Sequence, residues 1–266
     1  MKRIDILAPA KLTWSLRVEG RRDDGYHDLV AEMLTIDLAD RLVIGGPGDS
    51  LDLRAEAGTR AAGLELGEQN LVRRALALAG RSAAVSLHKA IPVGAGLGGG
   101  SADAAAVLRW AGVDDLDQAA TLGGDVPFCL VGGRAMVRGI GEQVEPLSFI
   151  SRSVLLLLPP FGVDTASAYL ALDELRAAGP WTHERNDLRP AAERVEPRLV
   201  AWRRALEEAA GCEAVLAGSG STLFVEGSRA ERQLEGVDEL VVGGLRGALI
   251  EVATIEASAG APSEAS

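Results

Sequence analysis

A glycine-rich segment before a predicted helix constrains this chain more than any other feature. Residues 92–105 read PVGAGLGGGSADAA, with five glycines in the seven residues 94–100. Glycine has no Cβ and tolerates positive φ, so such a loop can turn its N–H groups inward and let an anion approach the backbone. The alanine-rich stretch that follows predicts a helix beginning at Ser101, whose N-terminus favours negative charge. The segment therefore predicts a phosphate-binding loop.

Two familiar nucleotide motifs fit this loop poorly. Gly94, Gly96 and Gly99 match G-x-G-x-x-G, but Pro92 separates the loop from the preceding strand and no acidic residue ends the next strand, as a dinucleotide fold requires. The lysine of G-x-x-x-x-G-K-[ST] is also missing. A glycine turn used only for close packing stays open as an alternative. The predicted phosphate-binding residues are Pro92, Gly94, Ala95, Gly96, Leu97, Gly98, Gly99, Gly100 and Ser101, and the Ser101 hydroxyl is the candidate contact to phosphate or a metal ion.

Composition narrows the possible partners. The 266 residues carry a net charge of −11, which opposes binding to nucleic acid or to an anionic membrane, so a polyanionic ligand needs a local site. No apolar run approaches the roughly 20 residues of a membrane span, and a cytoplasmic protein is predicted. Cys129 and Cys212 are too few for a disulfide framework or a thiolate metal cluster. The oligomeric state stays open.

The order of predicted elements favours an α+β fold over a doubly wound parallel sheet, because strands and helices mix without regular βαβ spacing. Short apolar runs predict strands, and 3.6-residue periodicity predicts helices. We predict a first domain over 1–150, a second over 151–256 and a disordered tail over 257–266. The predicted strands lie near 4–8, 12–18, 29–38, 41–45, 51–55, 84–88, 127–131, 134–138, 154–158, 214–217, 222–226, 239–243 and 248–253, and the predicted helices near 70–80, 101–112, 115–124, 167–178 and 197–211.

Three stretches together resemble the GHMP kinases, the small-molecule kinases named for galactokinase, homoserine kinase, mevalonate kinase and phosphomevalonate kinase. PVGAGLGGGSADAA resembles their central phosphate motif, LAPAKLTWSL their first motif and LAGSGSTLFV at 216–225 their third, in the expected order. The resemblance implies a two-domain α+β fold that binds ATP with Mg²⁺. The additional stretches DGYH and GDVPF resemble the branch whose acceptor is a small cytidylated sugar alcohol.

The resemblance also implies the catalytic residues. Asp125 in GGDVP is expected to take the proton from the acceptor hydroxyl, and Lys11 in APAK to orient that carboxylate and offset the developing negative charge. A structural ion pair between the two is the alternative. Asp103 either lies behind the metal or is a favourable acid in the first turn of its helix, and Lys89 either reaches the nucleotide or ends an exposed strand.

The acceptor site follows from the same resemblance. Tyr26 and Tyr169 are expected to enclose the cytosine, with His27 at its hydrogen-bonding edge. One departure stands out, because Thr13 occupies the position where the family usually has asparagine. Other GHMP kinases and a catalytically silent nucleotide-binding relative remain rival interpretations. The expected acceptor-binding residues are Thr13, Tyr26, His27, Thr165, Tyr169, Gly218 and Ser219.

Overall fold

The computed structural model describes residues 3–56, 59–61, 64–257 and 263–264. Its strands and helices confirm the α+β prediction. The strands are β1 (Ile4–Arg21), β2 (His27–Ile44), β3 (Leu51–Ala55), β4 (Val85–Lys89), β5 (Arg134–Gly139), β6 (Gln143–Pro146), β7 (Ser153–Leu158), β8 (Val215–Leu216), β9 (Leu223–Glu226), β10 (Glu239–Val242), β11 (Leu245–Ala253) and β12 (Ser263–Glu264). The helices are α1 (Leu71–Leu78), α2 (Gly99–Ala111), α3 (Leu116–Ala120), α4 (Val126–Val131), α5 (Thr165–Ala178), α6 (Arg189–Val195) and α7 (Arg198–Ala210).

Two sheets divide the chain. The first has seven strands, in the order β12-β1-β2-β4-β3, with β5 paired to another part of β2 and β6 paired to β5. The second has five strands in the order β10-β11-β7-β9-β8. Every described pairing of named strands is antiparallel except β3 with β4. Both sheets can therefore keep one face on a core and the other open to solvent or helices.

The first two strands are longer than the sequence predicted. Four short strands were expected over 4–45, but β1 and β2 each run 18 residues without a break. Register shifts between Pro9 and Lys11, Thr13 and Ser15, and Val18 and Gly20 allow this length. Each shift adds local twist, so the pair bends around the core instead of ending. For example, the interruption of the apolar pattern between the predicted strands 4–8 and 12–18 coincides with the register shift between Pro9 and Lys11.

The prediction of a strand over 127–131 is wrong, because Val126–Val131 forms helix α4. Pro127 lies in its first turn, where a missing N–H costs nothing, and the Cys129 N–H bonds the Asp125 carbonyl. A short apolar run bounded by glycines fits either a strand or a buried helix, and only tertiary packing decides between them. Helix α6 and strand β6 were not predicted at all.

Three hydrophobic clusters hold the sheets and helices together. The largest lies between the first sheet and helices α1, α2 and α4, and a second lies between the second sheet and α7. A third joins the two sheets, with Leu12 and Leu34 from the first packed with Leu156 and Phe224 from the second. The loop 147–152 connects the sheets and falls where a boundary near residue 150 was predicted. The domain limits themselves stay a prediction.

The two remaining predictions concern the membrane and the tail. Among the described residues, no helix is both long and apolar enough to cross a membrane. Most of the predicted disordered tail lies outside the described residues. Within it, β12 pairs with the start of β1 at Ile4 and Asp5.

Candidate active site

A single large cavity brings the predicted residues together. Its volume is about 910 Å³, and it is bounded by β1, the start of β2, the glycine-rich loop, helix α5 and the loop between β8 and β9. All of the predicted catalytic, phosphate-binding and acceptor-binding residues line it. Residues from distant parts of the chain therefore share one site, from Lys11 through Thr165 and Tyr169 to Gly218 and Ser219.

The glycine-rich loop is held on both sides by backbone hydrogen bonds. The Lys11 N–H donates to the Leu97 carbonyl at 3.1 Å, and the Thr222 N–H donates to the Ala95 carbonyl at 3.1 Å. A Cβ at Gly98 would stand 2.7 Å from Lys11 Cγ, and a Cβ at Gly96 would collide with the Ala217 carbonyl. These glycines therefore allow both the first motif and the third motif to reach the loop.

Helix α2 begins at Gly99, two residues before the predicted start at Ser101. The residue before it, Gly98, has φ +68°, which a side chain would strain. The first N–H groups of a helix have no carbonyl partner within it, and Gly99, Gly100 and Ser101 line the cavity. The loop and this helix end thus present donors to an anion.

Lys11 and Asp125 form an ion pair at the centre of the cavity. The Lys11 Nζ lies 3.3 Å from Asp125 Oδ2, and the lysine is buried while about a third of the aspartate side chain is exposed (35%). Lys11 also donates to Thr13 Oγ1 at 3.0 Å. The Thr13 hydroxyl therefore helps to fix the position of the ammonium. A Cβ at Gly218 would stand 3.1 Å from the same Nζ, so the third motif also closes on Lys11.

The turn between β5 and β6 fixes the backbone at Asp125. A Cβ on Gly124 would collide with the Ile140 carbonyl, and one on Gly141 would collide with the Gly124 carbonyl. The Glu142 carboxylate accepts from the Ile140 N–H at 2.7 Å and closes this turn. Asp125 is then the last residue before α4, aimed into the cavity by two packed backbones.

A buried charge cluster under the loop was not foreseen. The Lys89 ammonium contacts Asp40 and lies 2.9 Å from Asp103 Oδ2, and all three side chains are buried. Asp40 also accepts from the Ala90 and Ile91 N–H groups at 2.7 and 2.9 Å, where β4 passes into the loop. Of the two alternatives for Lys89, the exposed strand end is wrong, because the side chain is buried. The sequence feature that could have indicated this cluster is Asp103, an acidic residue within the alanine-rich stretch of α2.

Asp103 belongs to this cluster and not to the first helical turn. Because α2 begins at Gly99, its first turn holds no acid. Burial raises the pKa of Asp103 to about 7, against the opposing charge of Lys89. Its Oδ1 accepts no hydrogen bond from the described residues. Asp103 thus supports the loop from below.

The predicted acceptor end contains an aromatic stack between Tyr169 and His27. The ring of Tyr169 stacks on His27, with centroids 4.8 Å apart and planes 28° from parallel. His27 Nε2 lies 2.8 Å from Asp173 Oδ1. Tyr26 is 62% exposed at the mouth of the cavity. Burial and the nearby Asp125 charge raise the pKa of Tyr169 to about 12, so its hydroxyl keeps its proton.

The third motif contacts the start of α5. Thr165 Oγ1 and Ser219 Oγ lie 2.8 Å apart, and both residues line the cavity. Asn186, which sequence reasoning did not assign, donates to the carbonyls of Leu216 and Gly218 at 2.7 Å each. It also accepts from the Leu188 N–H and so ties α6 to this loop. Its place in the segment NDL gave no role by itself.

Comparison with known proteins first defines the class. A family model described as the GHMP kinases N terminal domain matches residues 65–133, which include the glycine-rich loop and Asp125. A solved mevalonate kinase from L. major superposes with a TM-score of 0.63 at 12% identity, over 95% of this chain and 96% of its own. At that identity the likeness shows the fold alone, and the fold is that of the GHMP kinases.

Relatives of higher sequence identity identify the family within this class. The 4-diphosphocytidyl-2-C-methyl-D-erythritol kinase of Paracoccus denitrificans is 39% identical, over 85% of this chain and 88% of its own length. That of Ruegeria pomeroyi is 36% identical over 83% and 88%. A crystal structure of 4-(cytidine 5'-diphospho)-2C-methyl-D-erythritol kinase superposes with a TM-score of 0.70 at 32% identity, over 94% of this chain and 98% of its own. The chain belongs to the 4-diphosphocytidyl-2-C-methyl-D-erythritol kinase family.

Proposed function

We propose that this protein transfers the γ-phosphoryl group of ATP to the 2-hydroxyl of 4-diphosphocytidyl-2-C-methyl-D-erythritol, a step in non-mevalonate isoprenoid precursor biosynthesis. One observation carries the proposal. The Lys11–Asp125 pair, 3.3 Å apart, lies in the same cavity as the glycine-rich loop and as Tyr26, His27 and Tyr169. A donor site, a base and an acceptor site are therefore contiguous.

Asp125 acts as the general base in this reaction. Its carboxylate accepts the proton of the acceptor hydroxyl while the oxygen of that hydroxyl bonds to the γ-phosphorus and the bond to the ADP oxygen breaks. Lys11 orients the Asp125 carboxylate and offsets the negative charge that develops on the attacking oxygen. Thr13 fixes the Lys11 ammonium, so the base is oriented through two side chains.

The loop residues Gly94 to Ser101 bind the phosphates of ATP through backbone N–H groups and the start of α2. The donor set also fits Mg²⁺, which prefers oxygen ligands and retains waters and phosphate oxygens around it. Within the cavity, the Ser101 hydroxyl in the first turn of α2 is the protein oxygen that would contact it. When bound with ATP, Mg²⁺ supplies charge neutralisation on the transferring phosphoryl group.

The cytosine of the acceptor lies against the aromatic residues at the other end of the cavity. Tyr26 can fold over the base because it is exposed, while Tyr169 is held in place by its stack on His27. Base stacking on an aromatic face contributes about 1–3 kcal/mol by alanine substitution. Thr165, Gly218 and Ser219 line the same cavity.

The deciding experiment measures ADP release from MgATP by the purified protein. The acceptors are 4-diphosphocytidyl-2-C-methyl-D-erythritol and, beside it, mevalonate, homoserine and galactose. Turnover with the cytidylated acceptor alone is expected. Turnover with one of the others would assign the protein to a different GHMP activity, and ATP binding with no turnover on any acceptor would favour a silent relative.

A further inference from the structure

The acceptor in the proposed function carries a diphosphate, and the inference below rests on that proposed function. A diphosphate entering this cavity meets an unfavourable charge. The whole chain carries −11, and the carboxylates of Asp125 and Asp173 line the cavity. Binding a polyanion in these surroundings requires a cation at the acceptor end that is free to turn toward it.

The cationic side chains lining the cavity differ in their freedom to move. Among the described residues they are Lys11, Arg21 and Lys89, with the His27 ring beside them. Lys11 is buried against Asp125 and Thr13, and Lys89 is buried between Asp40 and Asp103. The Arg21 side chain is 56% exposed. Of the three, Arg21 alone can reorient without breaking a buried pair.

Arg21 is also weakly engaged in this structure. Its Nη1 lies 3.6 Å from Asp173 Oδ2, which is too long for a hydrogen bond. The other oxygen of Asp173 is already bonded to His27 at 2.8 Å. Asp173 would therefore keep a partner if Arg21 turned away. An exposed ion pair of this kind contributes little to stability, so exchanging it costs little.

The position of Arg21 in the fold suits an acceptor contact. It is the last residue of β1. The connection that follows contains Tyr26 and leads to His27, the first residue of β2. Its guanidinium and these two rings line the same end of the cavity. A planar guanidinium matches two phosphate oxygens at once, and such charge-assisted bonds are stronger than neutral ones.

We propose that Arg21 binds the diphosphate of the acceptor, exchanging its loose contact with Asp173 for phosphate oxygens. Before the acceptor arrives, Asp173 keeps the guanidinium at the cavity wall. After exchange, Asp173 continues to hold His27 under Tyr169. Arg21 is thus a substrate-binding residue that selects acceptors carrying a diphosphate.

The neighbouring Arg22 provides a matched control. It is similarly exposed, but it pairs with Asp24 at 3.2 Å and Asp28 at 3.7 Å and is not among the residues lining the cavity. Replacing either arginine by glutamine removes the same charge one residue apart. A general electrostatic effect would change the acceptor KM of both variants equally. A direct contact would change the acceptor KM of the Arg21 variant alone.

The test compares wild type, Arg21→Gln, Arg21→Lys and Arg22→Gln at saturating MgATP. We expect Arg21→Gln to raise the acceptor KM and the inhibition constant of CDP on the order of tenfold or more. The kcat, the KM for ATP and the inhibition constant of cytidine, which lacks phosphates, should stay unchanged. Arg21→Lys should restore part of the loss, and Arg22→Gln should behave as wild type.

Two results would overturn the inference. If Arg21→Gln weakened the binding of CDP and of cytidine equally, Arg21 would shape the base site. If it left CDP inhibition unchanged, Arg21 would not contact the diphosphate. The proposed function can fail separately, if wild type does not turn over the cytidylated acceptor. In that case direct titration of CDP and cytidine into wild type and Arg21→Gln still decides: selective weakening of CDP supports the phosphate contact, and its absence rejects it.

Discussion

At the scale of single residues, the site depends on a lysine and an aspartate that are 114 positions apart in sequence and 3.3 Å apart in space. Asp125→Asn keeps the shape of the side chain but removes the proton acceptor. We expect kcat to fall by about 10² to 10⁴, the range typical of general base catalysis, with ATP affinity within about threefold. Steady-state kinetics and ATP titration measure both quantities. A kcat within about threefold of wild type would remove Asp125 from this role.

Cys129 offers a residue-scale test of burial next to the Lys11–Asp125 pair. Burial, followed by the charge of Asp125, raises the pKa of its thiol to about 12. Since the thiolate is the reactive form, Cys129 should resist alkylation in the folded protein at about pH 8. Mass spectrometry should then find label on Cys212 alone, which is partly exposed, and on both cysteines after unfolding. Rapid labelling of Cys129 in the folded state would contradict the packing around α4.

At the scale of elements, the glycine-rich loop shapes the site through close approach to β1. Gly98→Ala forces a side chain into φ +68° and places its Cβ 2.7 Å from Lys11 Cγ. Gly112→Ala, at the other end of α2, imposes φ +77° with nothing within 4 Å of the new Cβ. Both should lose about 1–2 kcal/mol of stability from the left-handed backbone.

Only the alanine at Gly98 should also displace Lys11. We therefore expect its kcat to fall by at least about tenfold, while Gly112→Ala stays near wild type. Kinetics with melting curves on the two variants separates the effects. Equal kcat in both would show that the loop tolerates displacement of β1.

The cluster below the loop predicts a pH dependence of stability. The pKa of Asp103 is raised to about 7, above its ordinary value of 3.8, mainly by burial. The folded state thus keeps a proton that the unfolded state loses, so the free energy of unfolding falls as pH rises between these values and not above them. Asp103→Asn removes this dependence. Urea unfolding at about pH 5.5 and about pH 8 should show the variant gaining on wild type at the higher pH. If the free energies of unfolding of the variant and the wild type changed in parallel with pH, the raised pKa of Asp103 would be contradicted.

At the scale of the whole molecule, the cluster shared by the two sheets predicts one cooperative unfolding transition. Leu12, Leu34, Leu156 and Phe224 pack in it from both sheets, so unfolding either sheet would expose apolar side chains of the other. ATP at about 100 times its Kd should stabilise this unit by about 2.7 kcal/mol, and Tm should rise by several degrees. Calorimetry with and without ATP measures both. Two separated transitions, with ATP moving only one, would mean that the sheets unfold independently.

The sequence was most informative where a local pattern has a local cause. The helix that follows the glycines and the helix α7 were predicted correctly because backbone freedom and amphipathic spacing act over a few residues. The stretch 127–131 was misjudged because its apolar run fits either element type. The burial of Lys89 was missed because its partners Asp40 and Asp103 come from β2 and α2.

The sequence by itself determined the α+β class, the order of the three motifs and the family. These follow from residue types and short spacings, which the chain carries wherever it folds. Only the tertiary structure decided that Thr13 contacts Lys11, that Tyr169 stacks on His27, and that Arg21 lies loosely against Asp173. Such contacts depend on how β1, β2 and α5 pack, because side-chain partners across elements are set by the shape of the shared core.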